Sequence, residues 1–431
     1  MESPATHVDL IMATAIAGIA FVLIAGTLLG NFARRLRQPP VIGEIAAGIL
    51  LGPSVLGLLP GNLTDHIFPA EARPLLSAIA QAGLLLFIFM IGWEFERGLL
   101  RKRKTLAAAV SLSSVLLAFV LGVGLAFVLY AEHSTVQGKE VPATAFALFL
   151  GAAMSVTAFP VLARILSDNG LMQTRVGALA LASAAVDDVV AWCLLALVSA
   201  LVTAGDGSDL VQIFGLSMVY VAVMVLLVRP LLAFLVRRWT RGRGAPYLLV
   251  MLAAGVFLSS YATTWIGIHA IFGAFLFGFI MPREPGDVLE SHLRKPLETV
   301  SLLLLPVFFI VTGLGVDIGG LSGRNYLELA AIIVVACAGK LIGSAAPARA
   351  FGLPWREVGT LGLLMNTRGL TELIILNAGV GLGVLDTPMF TMMVIMALVT
   401  TALAGPLLPR VRDLPETIEP VSPKVLAKTS T

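Results

Sequence analysis

Charge is what this chain has least of. Asp, Glu, Lys and Arg make up 13% of its 431 residues, against 58% for the apolar types. A soluble domain cannot carry so much apolar surface, because its exterior must face water. Cysteine is scarce as well: Cys193 and Cys337 both lie inside apolar runs. That excludes a disulfide framework and a zinc site, and leaves the two thiols as small packing groups. Polar and apolar residues do not alternate, so the strands of a membrane β-barrel are excluded too. No basic segment precedes the first apolar stretch in MESPATHVDL, which reads as a retained span rather than a cleaved signal.

What is present is a series of continuous apolar runs, each near the roughly 20 residues that a helix needs to cross a bilayer. They fall near 9–30, 40–58, 75–93, 105–130, 143–166, 173–202, 210–236, 246–264, 266–282, 297–315, 327–347, 357–379 and 388–409. The expected fold is therefore all-α and polytopic, with about 13 transmembrane helices over residues 1–409 and a short tail over 410–431. The loops order these spans by the positive-inside rule. On one side fall 23 basic residues, among them Arg34, Arg35, Arg97, Lys104, Arg164, Arg175, Arg237, Arg294, Arg349, Arg356 and Arg410. The other side has Arg73, Lys139 and Arg324. This places the chain in an inner (plasma) membrane, N-terminus outside and C-terminus cytoplasmic. The tail, rich in Pro, Glu, Ser and Lys, has a disordered composition and holds no nucleotide-binding domain. GVGLGV at 379–384 follows no strand and reads as a loop.

Dividing the spans as six, a linker and six puts spans 5 and 12 in equivalent places. Span 5 is interrupted by Ser155, Thr157 and Pro160. Span 12 is interrupted by Asn366, Thr367, Arg368, Gly369, Thr371 and Glu372. Paired interruptions of this kind point to two inverted repeats whose broken helices cross at the midplane, where freed carbonyls and helix ends meet a charged cargo.

An ionised side chain at mid-membrane costs at least about 2.5–3.5 kcal/mol, so the few present need a reason. Span 6 carries Asp187 and Asp188 near its middle. Neighbours on a helix point about 100° apart, so the two carboxylates face different surroundings. Carboxylate oxygens suit a hard monovalent cation and lose it on protonation, which is the least chemistry an exchanger requires. Lys340 in span 11 is the one lysine within a hydrophobic span and is expected to pair with Asp187. Arg368 and Glu372, four apart in span 12, form a candidate gating pair. Glu44, Glu94, Glu96 and His269 are weaker candidates near span ends.

Six blocks together carry a resemblance: PPVIGEIAAGILLGPSVLG, LLLFIFMIGWEFE, SVTAFPVLARIL, AAVDDVVAW, LPVFFIVTGLGVDI and MNTRGLTELIIL. Over residues 10–409 the chain resembles the monovalent cation:proton antiporters of the sodium/proton exchanger type. It is similar in particular to the plant cation/proton exchangers and their bacterial relatives. The resemblance implies a homodimer that exchanges Na+ or K+ for protons by an elevator motion, with no cofactor. Its dimerisation part would be mainly spans 1–2 and 8–9, with span 7 as linker, and its moving core spans 3–6 and 10–13. By the same likeness Asp188 binds the cation and carries protons, Asp187 is the accompanying acid, Lys340 its salt-bridge partner, and Thr157 with nearby carbonyls completes the site.

Asp187–Lys340 suggests more than one proton per cation, while electroneutral relatives often rely on an arginine in span 12, here Arg368. An intramembrane aspartyl protease would need facing aspartates on separate helices, and Asp187 and Asp188 are adjacent on one, so an enzyme is not expected. A passive cation channel is the alternative. It would conduct without a counter-gradient of protons.

Overall fold

The computed structural model describes residues 4–36, 38–61, 63–94, 104–171, 174–203, 207–239, 245–282 and 293–408. In a bilayer every backbone polar group must find its partner within the segment, and the apolar runs accordingly fold as helices. In chain order these are α1 (Pro4–Arg35), α2 (Pro40–Leu51), α3 (Leu63–Ile67), α4 (Arg73–Glu94), α5 (Lys104–Leu129) and α6 (Ala143–Ser155). Then come α7 (Phe159–Asp168), α8 (Arg175–Thr203), α9 (Gly207–Val223), α10 (Arg229–Trp239), α11 (Ala245–Ile266) and α12 (Ala270–Phe279). The last five are α13 (Lys295–Leu314), α14 (Gly323–Ala350), α15 (Trp355–Met365), α16 (Leu370–Gly381) and α17 (Thr387–Leu407). Among the described residues the one pair of strands is a hairpin between α5 and α6, β1 (Thr135–Val136) paired antiparallel with β2 (Lys139–Glu140). Between α9 and α10 the ladder widens to π geometry over Met224–Val228. Pro230, which follows, has no N–H to return to the preceding turn.

Among the described residues eleven segments are long and apolar enough to cross a membrane. They match eleven of the expected spans. The run expected at 266–282 is a shorter helix, α12, and the run at 357–379 is the broken pair α15 and α16. Glu96, most of the basic loop after it, and the tail from 409 onward lie outside the described residues.

The helices form two bundles. α1, α2, α4, α11, α12 and α13 pack on one another, and so do α5 to α8 with α14 to α17. The α9–α10 segment bridges them, touching α8 and α11. The expected division assigned spans 3 and 10 to the core part. In the structure those spans, α4 and α13, sit instead in the bundle of α1, α2, α11 and α12. The cause is close backbone contact at glycines. A Cβ on Gly48 of α2 would stand 2.7 Å from Gly313 Cα of α13, and one on Gly278 of α12 would fall on the backbone of Phe89 in α4. Hydropathy does not register such contacts, because a glycine that allows helices to touch looks like any other glycine.

Candidate functional site

The second bundle holds two helices that stop in mid-course. α6 ends at Ser155, the chain runs extended through Val156, and α7 begins at Phe159 with Pro160 in its first turn. That is where a proline is tolerated, since first-turn N–H groups have no partner within the helix. Likewise α15 ends at Met365 and α16 starts at Leu370. Gly369 joins them at φ 155 and ψ −121, and a Cβ there would meet Val161 Cγ2 at 2.7 Å. Only glycine suits both the conformation and the space. The two breaks touch: Ala158 N–H donates to the Thr367 carbonyl at 3.2 Å.

Unbroken α8 passes this crossing and presents both aspartates to it. Asp187 is fully buried and well supplied. Lys340 Nζ donates to its Oδ2 at 2.9 Å, and Ser111 Oγ to its Oδ1 at 2.5 Å. Thr157 Oγ1 lies 2.8 Å from Asp187 Oδ2 and 2.9 Å from the Met365 carbonyl, so its single proton serves one of them. Lys340 Nζ also donates to Ser114 Oγ at 3.2 Å. Asp188 faces elsewhere, as the 100° step requires. Thr371 Oγ1 donates to its Oδ1 at 3.1 Å, and the Phe159 N–H at the start of α7 bonds the same carboxyl group. Asp188 thus faces the N-terminal end of a half-helix, a favourable place for negative charge.

A second buried pair lies alongside. Arg368 and Glu372 are both inaccessible, with Nη1 donating to Oε1 at 3.2 Å. The same guanidinium donates to the carbonyls of Met154 (Nη2, 2.8 Å) and Ala153 (Nη1, 3.3 Å). It therefore caps the carbonyl end of α6, where a cation is favoured. Glu372 Oε2, Arg368 Nε and Asn366 Oδ1 are buried without a hydrogen-bond partner.

Most of the residues singled out in the sequence thus converge. Asp187, Lys340 and Thr157 meet in one cluster, Asp188 is next to it, and Arg368 pairs with Glu372. Thr157 lies against Asp187, whereas the sequence reading placed it with Asp188. The α6 carbonyls of Ala153 and Met154 are already bonded to Arg368. Glu44 on α2, and His269 just before α12, belong to the other bundle, away from the crossing. The sequence reading passed over Ser111 and Ser114, and named Thr371 only as part of the span-12 interruption. The first two stand in SLSSV, a run of hydroxyls in an apolar span. Among the described residues no three His, Cys, Asp or Glu side chains are grouped as for a bound metal.

Paired broken helices around buried carboxylates give a specific signature to compare. The sodium/hydrogen exchanger transmembrane family matches residues 15–412. The chain belongs to this family. It is a cation/proton antiporter of the membrane, not an enzyme. The Na(+)/H(+) antiporter NhaS4 of Synechocystis is 43% identical over 411 residues, covering 93% of this chain and 97% of that one. Cation/H(+) antiporter 19 of Arabidopsis thaliana is 40% identical over 94% of this chain and 50% of its own length. K(+)/H(+) antiporter 1 of Saccharomyces cerevisiae is 33% identical over 86% of this chain and 43% of its own. The chain therefore spans nearly all of the cyanobacterial relative and about half of the plant and yeast ones. Its fold is that of the sodium proton antiporter MjNhaP1 from Methanocaldococcus jannaschii, with a TM-score of 0.64 over 92% of this chain and 96% of that one at 16% identity.

Proposed function

We propose that this antiporter exchanges a monovalent cation, Na+ or K+, for protons by elevator-type alternating access, with Asp188 as the group that takes either one. The observation that carries this reading is the unequal supply of the two aspartates. Asp187 has a lysine and two hydroxyls around it, while Asp188 has one hydroxyl and one N–H at the gap between the two breaks. A carboxylate with lone pairs left over is a ligand for a hard cation. A proton on the same oxygens removes the charge that holds the cation, so the two cargoes exclude each other.

Asp187 and Lys340 supply the coupling. Parting the pair lets Asp187 join Asp188 on the cation, and re-forming it accompanies cation release. The moving unit is α5–α8 with α14–α17, sliding on the bundle of α1, α2, α4 and α11–α13. With α12 and the α15–α16 pair counted, the chain crosses the membrane thirteen times, with α6–α7 and α15–α16 as the equivalent breaks of two inverted repeats. Arg34, Arg35, Arg175, Arg237, Arg349 and Arg356 lie at or near helix ends on one face, which supports a cytoplasmic assignment for that face in an inner or plasma membrane. The protein works as a homodimer on this reading, and long apolar side chains exposed on α1 and α9, such as Ile16, Leu28, Phe214 and Met218, are compatible with that. Relatives named for Na+ and for K+ both match, so the cation is left between these two.

The test uses purified protein in proteoliposomes with an imposed pH gradient. Adding one of Na+, K+ or Li+ should collapse the gradient in wild type and leave it intact in Asp188→Asn. A response in the variant equal to wild type would remove Asp188 from its role. Cation flux without any proton movement would favour a channel.

A further inference from the structure

A second buried charged cluster lies at the opposite end of α5 from Lys104, on the face of the β1–β2 hairpin, and the exchange step has no use for it. His133, in the turn that follows α5, is 2% exposed. Its ring stacks on Phe146 of α6. Both ring nitrogens face carboxylates: Nδ1 is 2.6 Å from Asp386 Oδ2 and Nε2 is 3.3 Å from Glu328 Oε2. Ionised carboxylates only accept hydrogen bonds, so an imidazole held this way must donate from both nitrogens and carry a proton on each. A neutral ring has a single N–H and would turn a lone pair on one carboxylate.

The remaining groups fix the two carboxylates in place. Asp386 caps α17, with Oδ1 accepting from Met389 N–H at 2.7 Å. Glu328 on α14 accepts from Asn325 Nδ2 at 3.0 Å and pairs with Arg324 Nε at 3.4 Å. Arg324 in turn pairs with Glu132, the residue before His133, at 2.8 Å. Lys139 and Glu140 of β2 are exposed. His133 is thus the buried bolt through which the hairpin is held to α14 and α17.

The hairpin also borders a cleft. Val136 and Gln137 line one edge of a cavity of about 430 Å³, with Asp386 and Thr387 on α17's side, Asn377 on α16 and Thr312 on α13. Its walls come from both bundles, so its shape must change if one slides on the other.

We propose that His133 is a proton-operated latch. Protonated, it ties the hairpin to both Asp386 and Glu328 and holds the hairpin at the edge of the inter-bundle cleft. Deprotonated, it keeps the shorter bond to Asp386, loses the one to Glu328, and frees the edge, so that exchange quickens as the hairpin face becomes alkaline. Burial alone would lower the pKa of His133, but the hydrogen bonds and charges of Asp386 and then Glu328 outweigh it and hold the value above 6.5. A raised folded-state pKa means that the latch stabilises the protein fully below about pH 6.5 and loses its contribution as pH rises through the folded value.

The transport arm of the test rests on the antiport reading; the stability arm does not. In proteoliposomes with saturating cation, pH is varied separately on each side for wild type and His133→Gln. The wild-type to variant rate ratio should rise roughly fivefold between about pH 6 and about pH 8.5 on one side only, the low end of typical coupling between sites. In detergent, the thermal midpoint of wild type minus that of His133→Gln should be positive near pH 6 and shrink toward zero by about pH 9. Asp386→Asn keeps the helix cap while removing a charge, and should move the wild-type transition to lower pH. A rate ratio and a midpoint difference that are both flat with pH would overturn the latch. A wild type without exchange would fail the antiport reading instead, and the midpoint series would still decide the latch.

Discussion

The two bundles bury the same kinds of apolar side chain but very different polar ones. In the bundle of α1, α2, α4 and α11–α13, the buried polar residues among those described are neutral hydroxyls such as Ser259, Ser260, Thr263, Ser301 and Thr312, and its ionisable Glu44 and His269 are only partly buried. In the other, Asp187, Asp188, Lys340, Arg368, Glu372, Glu328, Glu357 and His133 are all buried. An apolar bundle stitched by glycine contacts needs nothing beyond close packing to persist in lipid. A bundle with paired charges carries their desolvation cost and keeps them for what they do. On the elevator reading proposed above, the difference separates a scaffold from a carrier within one chain.

Substitutions can break this contrast at its sharpest point first. Asp188→Asn keeps the size and the acceptor for Thr371 but cannot trade a proton for a cation. We expect cation-driven collapse of a pH gradient to fall to the protein-free background, while size-exclusion behaviour and thermal midpoint stay near wild type. Lys340→Met comes next. It leaves Asp187 buried without its counter-charge, a loss of about 3–5 kcal/mol when one partner of a buried pair is removed. Thermal or denaturant unfolding in detergent measures it. The double variant Lys340→Met with Asp187→Asn should recover most of that loss, and failure to recover would mean that Lys340 matters for packing rather than for charge.

Much of this carrier was legible in the sequence, and the reason is cost. Asp187, Asp188, Lys340, Arg368 and Glu372 stand out because ionised groups in an apolar span are expensive, and the structure brings them to one crossing. The breaks stood out because Pro160 and Gly369 cannot be ordinary mid-helix residues. Ser111 and Ser114 did not, since a hydroxyl can bond back to its own helix and costs little in a membrane. His133 was passed over because a histidine in a polar turn is ordinary until its partners from α14 and α17 are known. The assignment of α4 and α13 to the scaffold was hidden as well, because it depends on which glycines face each other across helices.

A matched pair of threonines sharpens the comparison further. Thr157 in the carrier reaches Asp187 and the Met365 carbonyl, whereas Thr263 in the scaffold donates within its own helix to Ser260 at 2.9 Å. Valine has the same shape without the hydroxyl. We expect Thr157→Val to cost roughly 1–3 kcal/mol and to lower exchange, because a charged acceptor loses a donor. Thr263→Val should cost about 1 kcal/mol or less and leave exchange unchanged. Unfolding midpoints and proteoliposome rates for the two variants decide it, and equal losses at both positions would erase the functional distinction between the bundles.

The smallest effect lies on the boundary itself. Asn377 Nδ2 on α16 donates to Thr312 Oγ1 on α13 at 2.9 Å, while also holding the Leu373 carbonyl of its own helix at 2.8 Å. Thr391 Oγ1 on α17 accepts from the Asp317 N–H just beyond α13 at 3.1 Å. Both bonds join the two bundles on the hairpin face, so the sliding proposed above would have to break them. A net hydrogen bond contributes about 1 kcal/mol, and removing one from the resting state but not from the barrier should speed the slide by up to about fivefold. Thr312→Val removes the acceptor and leaves Asn377 its bond to Leu373. We expect faster turnover at saturating cation with little change in stability. If turnover is unchanged, these bonds re-form in the transition state and the two bundles slip without parting on this face. If it slows, the bonds guide the motion rather than resist it.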